Sequence, residues 1–150
     1  MNKKSIQLGF TLIELLIVIS IIGILASLTL VSYSGAQKQA RDSQRKSDLG
    51  QIKNSLENYA GTSNGMYPIS LNGGVVNFSG ICTTYLLPNF ITSCLDDPLE
   101  ASTTKTYHYA SDGYTYLLFA NTESANTIWY TCSTGKNGSL AAAPVLAVCN

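Results

Sequence analysis

The stretch that most constrains this chain is Leu12 to Val31, LIELLIVISIIGILASLTLV, in which Glu14 is the only charge. At a rise of about 1.5 Å per residue, such a helix covers roughly 30 Å, the thickness of a bilayer's hydrocarbon core, and reads as a transmembrane segment. The residues in front of it set what kind of segment this is. A polar leader, MNKKSIQLG, carries Lys3 and Lys4 and ends on Gly9; the apolar run then opens Phe10-Thr11-Leu12-Ile13-Glu14. A secretory signal peptide has a shorter apolar core, about 7 to 15 residues, closed by a small-residue cleavage site. No A-x-A-like site closes this run.

The join G-F-T-L-I-E-L-L-I-V, Gly9 to Val18, resembles the type IV prepilin signature: a basic leader, glycine at the cut, phenylalanine next and glutamate as fifth residue of the mature chain. The resemblance is close up to Tyr59 and holds in outline beyond it. It implies a precursor in the inner membrane with its head outside the cytoplasm, cut between Gly9 and Phe10 by a prepilin peptidase that also N-methylates Phe10. The pilus or secretion machinery would then stack it into a helical filament of identical subunits. On that reading the chain is a substrate of catalysis and not an enzyme. Lysines and arginines on both sides of the span (Lys3, Lys4; Lys38, Arg41, Arg45, Lys46) do not fix its orientation by counting alone, so the topology rests on the resemblance.

Glu14 carries two readings. Locally, Thr11-x-x-Glu14 fits a capping box, and a carboxylate in the first turn is favoured by the helix dipole by about 0.3–1 kcal/mol. A carboxylate inside a membrane run is also costly and usually finds a partner. The resemblance supplies one: the Phe10 amine of a neighbouring subunit, so that Phe10 and Glu14 are the assembly residues.

From Tyr33 to Tyr59 there is no proline, and Leu49, Ile52, Leu56 and Tyr59 recur at helical spacing as one apolar stripe. The spine helix should therefore continue to about residue 60, apolar first and amphipathic afterwards, with the stripe against a sheet. Lys38 with Asp42, Asp42 with Lys46, and Lys53 with Glu57 are spaced for ion pairs on a solvated helix face. No proline interrupts the end of the apolar run, where many members of the resembled family carry one. Gly61-Thr62-Ser63-Asn64-Gly65 breaks the helix, and Met66-Tyr67-Pro68 resembles the step that follows the spine in pseudopilins.

The expected domains are a leader (1–9), a spine (10–60) holding the membrane segment 12–31, and a head (61–150). The expected fold is α+β and pilin-like: the long helix packed on a small antiparallel sheet. Residues 69–98 read as a long loop with one short helix near Thr83–Leu87. Tyr107–Ala110 and Tyr114–Ala120 flank the turn Ser111-Asp112-Gly113 as a hairpin, Thr127–Cys132 gives a third strand, and Val145–Cys149 is a candidate fourth.

Cys82, Cys94, Cys132 and Cys149 include no C-x-x-C, and the single His108 cannot complete a metal set. Two disulfides suit so small a head and place it in an oxidising compartment; four buried free thiols are the alternative. Of three connectivities, Cys82 with Cys94 and Cys132 with Cys149 avoids crossing the hairpin. No cofactor or metal is expected. Calcium at Asp96, Asp97 or Asp112 is conceivable by analogy with related heads, but these residues sit in ordinary turn sequences and form no D-x-D-x-D-G loop. Asn77-Phe78-Ser79 and Asn137-Gly138-Ser139 match a glycosylation pattern that is often met by chance. Nothing resembles a nucleophile with its base, a phosphate loop or paired catalytic carboxylates. Residues 61–150 carry five acidic residues against two basic ones, a poor match for nucleic acid.

These features specify a filament subunit of a type IV pilus serving adhesion, motility or DNA uptake. One rival is a pseudopilin of a type II secretion or competence system, which would form a periplasmic or wall-spanning pseudopilus. The other is a membrane-anchored binding module that never polymerises.

Overall fold

A computed structural model of the chain describes residues 10–99 and 106–150, and of residues 28–32 the backbone alone. The leader and Gly9 lie outside the described residues. The chain divides into two units, Met1–Gln37 and Lys38–Asn150. Helix α1 (Leu12–Thr62) supplies the helical part of the first and the opening element of the second.

In the first unit the apolar side chains from Leu12 to Leu25 stand exposed on every side of the helix. The few hydroxyls on this stretch are satisfied by the helix itself: Ser20 Oγ donates to the Leu16 carbonyl at 2.7 Å and Ser27 Oγ to that of Ile24 at 2.8 Å. Among the described residues no helix is long and apolar enough to cross a membrane. The side chains of 28–31, which close the expected span, are not among them.

The second unit is built on the predicted stripe. Leu49, Ile52 and Leu56 are buried, with Tyr59 packed alongside, against Tyr107, Tyr109, Tyr116 and Leu118 of the sheet. The helix ends at Thr62, and the chain leaves through Asn64 and Gly65, both at positive φ, with the Gly65 amide donating to the Ala60 carbonyl at 2.9 Å. The sheet is antiparallel throughout in the order β1 (Val76–Asn77), β2 (His108–Ser111), β3 (Tyr116–Asn121), β4 (Ile128–Cys132), β5 (Asn137–Leu140). Alternation divides the strand side chains between two cores. Tyr109, Tyr116, Leu118 and Ala120 face the helix, while Ala110, Leu117, Phe119, Tyr130 and Cys132 pack with Cys149, Leu146 and Val148.

That second core corrects the expectation at Val145–Cys149. The segment is a 3-10 turn, Leu146–Cys149, held over the sheet by the Cys132–Cys149 disulfide, and not a strand. The additional strands are β1 and β5. Asn137-Gly138-Ser139-Leu140 is an edge strand with little apolar alternation, so pattern alone does not reveal it. The short helix expected near Thr83–Leu87 is present as one wide helical turn, Cys82–Leu86, and it begins earlier, in α2 (Phe78–Ile81), with Phe78, Ile81 and Leu86 reaching the core. In the hairpin, Tyr114 and Thr115 belong to the turn. Asp112 Oδ1 accepts both their amides, at 2.9 and 2.8 Å. Gly113, at φ +96°, has Ile69 only 3.2 Å from where a Cβ would sit.

Candidate functional site

Around the start of α1, Thr11 and Glu14 close a capping box. The Thr11 amide and hydroxyl donate to Glu14 Oε2 at 2.9 and 2.7 Å, and the Glu14 amide donates to Thr11 Oγ1 at 3.3 Å. Phe10 is 89% exposed just before it. Of the expected assembly residues the structure therefore places Phe10 and Glu14 at one helix start, with the carboxylate held by its own first turn.

The cysteines pair as Cys82–Cys94 and Cys132–Cys149. The first closes the α2 segment onto the loop that follows it, and the second ties β4 to the C-terminal turn. Each spans the loop of a segment that regular hydrogen bonding leaves largely unanchored.

A buried charge cluster in the second unit is a feature that the sequence reading misses. Arg45 is wholly buried. Its Nε and Nη2 donate to the two oxygens of Asp97 at 2.7 and 2.8 Å, and its Nη1 reaches Asp42 at 2.8 Å and Glu123 at 2.7 Å. Arg41 holds Glu123 from the other side at 2.7 Å. Asp42 also accepts the amides of Glu123 and Ser124 and the Ser124 hydroxyl, which pins the β3–β4 loop to the helix. Burial alone would raise the Asp42 carboxyl, but the Ser124, Glu123 and Arg45 hydrogen bonds outweigh it and hold it down to about 2. The hydrogen bonds to Asp97 raise Arg45 further above its ordinary range. Next to this cluster Tyr107 donates its hydroxyl to Asp48, and its own ionisation is pushed up by burial and then by that carboxylate.

The expected surface ion pairs give way to these contacts. Asp42 turns inward to Arg45 instead of pairing with Lys38 or Lys46. Glu57 accepts the hydroxyls of Tyr67 and Tyr116, at 2.8 and 2.9 Å, in place of Lys53. Burial, then Glu57, pushes Tyr67 up to about 12. A signal for Arg45 was present: stepping back from Leu49, Ile52 and Leu56 at the same spacing lands on residue 45, an interior position occupied by a charge.

Of the residues weighed for calcium, Asp97 is engaged by Arg45 and Asp112 by its turn, and no group of three metal-ligating side chains occurs among the described residues. His108 lies on β2, stacked on Phe119 at 4.8 Å, and burial lowers its basicity.

Comparison with known proteins fits this geometry. Residues 4–30 match the prokaryotic N-terminal methylation motif. The chain is 44% identical over 54 residues to the type IV major fimbrial protein FimA of Dichelobacter nodosus, 36% of this chain and 35% of that one. It is 38% identical over 71 residues to the type II secretion system core protein G of Aeromonas hydrophila, 47% of this chain and 49% of that one. With the fimbrial protein EcpC of Eikenella corrodens the identity is 38% over 97 residues, 53% of this chain and 63% of that one. The chain thus matches about a third to a half of the length of the first two relatives. No solved structure matches it. The α+β head with two disulfides thus follows a stretch that matches a methylation motif, in a chain similar to filament and secretion proteins. The relatives support a type IV pilin or a type II secretion pseudopilin.

Proposed function

We propose that the chain is the structural subunit of a type IV pilus-like filament. It is made as a single-pass inner-membrane precursor through residues 12–31, cut after Gly9 by a prepilin peptidase, methylated on Phe10 and assembled through its apolar helix. The observation that carries this reading is the helix from Leu12 to Leu25, apolar on all faces behind a Thr11–Glu14 box. A helix apolar all round is stable only in lipid or among other helices. Assembly exchanges the first environment for the second, with apolar burial at about 25 cal/mol per Å² holding the fibre and a heterologous, non-closing contact giving open growth. Glu14 meets the Phe10 amine of a neighbour as the register device. The two disulfides suit a head held outside the cytoplasm.

The pseudopilin reading keeps one specific support, the secretion relative that matches 47% of this chain, while the fimbrial relatives match 36% and 53%. Intact mass and N-terminal sequencing of sheared surface material and, separately, of membranes separates the readings. A chain beginning at methylated Phe10 in the sheared fraction supports the pilus. The same chain confined to the envelope supports the pseudopilus. Retention of residues 1–9 everywhere overturns both in favour of an anchored binding module.

A further inference from the structure

Between α1 and the β4–β5 ribbon lies a groove of about 230 Å³ lined by Lys46, Leu49, Gly50, Trp129, Thr131 and Asn137. The Lys46 ammonium rests 4.3 Å over the indole of Trp129, the chain's only tryptophan. Lys46 and Lys53, seven residues apart on one helix face, meet no carboxylate among the described residues; the nearby arginines, Arg41 and Arg45, are both neutralised. Between the two lysines sits Gly50. Glycine in a helix interior is unfavourable relative to alanine, and here no packing requires it, since a Cβ would meet nothing within 4 Å. Gly50 lines the groove and adds no side chain to it.

We propose that this groove is a binding subsite for an acidic sugar chain. A pyranose ring places its carboxylate on Lys46, whose ammonium already covers one face of the Trp129 indole, and rests its C–H face on the apolar groove wall beside Leu49. The neighbouring acidic residue reaches towards Lys53, roughly 10 Å further along the helix at 1.5 Å per residue. Thr131 and Asn137 offer hydroxyl and amide partners to the ring hydroxyls. Apolar floor, few convergent polar groups and a cation of matching sign are the ordinary constitution of a small-ligand site. Nucleic acid fits worse, because its affinity is built on many neutralised phosphates and this groove offers two lysines on a unit whose residues 61–150 carry an acidic excess.

The test titrates the full chain in detergent micelles with a galacturonic acid tetramer, following Trp129 fluorescence. Maltotetraose and a single-stranded oligonucleotide serve as comparisons. A saturable change that weakens with salt is expected from the uronate alone. By calorimetry, K46M and K53M should each lose about two- to fivefold in affinity, the range of an exposed charge pair. G50L should abolish binding while melting at or above the parent temperature, because leucine replaces a helix glycine in open space. No saturable signal, undiminished binding in G50L, or equal or tighter binding of the neutral sugar or the oligonucleotide overturns the proposal.

Discussion

Replacing Arg45 with methionine should destabilise the head more than any surface charge change, and the structure says where the cost falls. The guanidinium serves three carboxylates from three segments. Once it is gone, Glu123 keeps Arg41, and Asp42 keeps the Glu123 and Ser124 amides. Among the described residues Asp97 keeps only the Leu99 amide, at 2.9 Å, while its side chain stays buried. Removing one partner of a buried ion pair typically costs about 3–5 kcal/mol, because the other charge is left uncompensated. Against a total stability of about 5–15 kcal/mol, this is a large fraction. Replacing both partners with apolar residues is often neutral, so Arg45→Met with Asp97→Leu should recover much of the loss. Arg45→Lys should lie between, since a point ammonium cannot span Asp97 bidentately and still reach Asp42 and Glu123. Urea unfolding of the detergent-solubilised chain, read by the fluorescence of Trp129 on β4, measures all three. An Arg45→Met loss under about 1 kcal/mol, the scale of an exposed pair, or a double variant no better than the single one, would refute the account of a buried, mutually dependent cluster.

Acid should loosen the same region in a defined window. The Asp42 carboxyl sits at about 2 in the fold against an ordinary 3.8, so its contribution is fully present above about pH 4 and is lost as the pH falls towards 2. By linkage this amounts to about 2 kcal/mol, measurable as a falling urea midpoint in that interval and absent in Asp42→Asn. Leu56→Ala, at a fully buried point of the helix–sheet core, should cost about 2–5 kcal/mol in the same unfolding assay. Removing the Cys132–Cys149 bridge with a pair of alanines should cost about 2–5 kcal/mol and free the Leu146–Cys149 turn to exchange its amides faster by hydrogen exchange, leaving the helix–sheet core protected.

The elements that sequence made legible are those with a strong period or a strong punctuation. The Leu49, Ile52, Leu56, Tyr59 stripe, the glycine-rich helix stop and the hairpin around Asp112 and Gly113 each carry a local signal that tertiary contacts reinforce. The spacing marks residue 45 as interior, but the partners of Arg45 are illegible in the sequence for a physical reason. Asp42, Lys46, Lys53 and Glu57 have the spacing of a solvated helix face, and only the arrival of Asp97 and Glu123 from distant loops turns part of that face inward. β5 and the C-terminal turn were missed together. Leu146 and Val148 earn burial by covering the sheet's outer face, a role that gives them no strand partner, while the polar residues of β5 need only an edge to pair with. At the helix start, the proposed processing and assembly residues rest on the signature of the join, which no periodicity supplies.

The capping box makes the local role of Glu14 separable from its proposed role in assembly. Both Thr11 donors converge on Oε2, so the carboxylate's other oxygen lies outside the box. An ammonium from a neighbouring Phe10 can then be received without breaking the monomer's own first turn, and pairing adds a charge-assisted contact to one already made. Removing the box and removing the charge should therefore have different consequences. Thr11→Val deletes the hydroxyl but keeps the carboxylate; it should weaken the helix start by about 1 kcal/mol and leave filament yield in sheared surface material near the parent level. Glu14→Gln keeps a capping side chain and deletes the charge, and it should leave membrane insertion intact while surface filaments fall sharply. If Glu14 acts only as a local cap, the order inverts: Thr11→Val is the damaging change and Glu14→Gln is nearly silent. Equal loss in both variants would also count against pairing, because it would trace assembly to the integrity of the first turn and not to the charge.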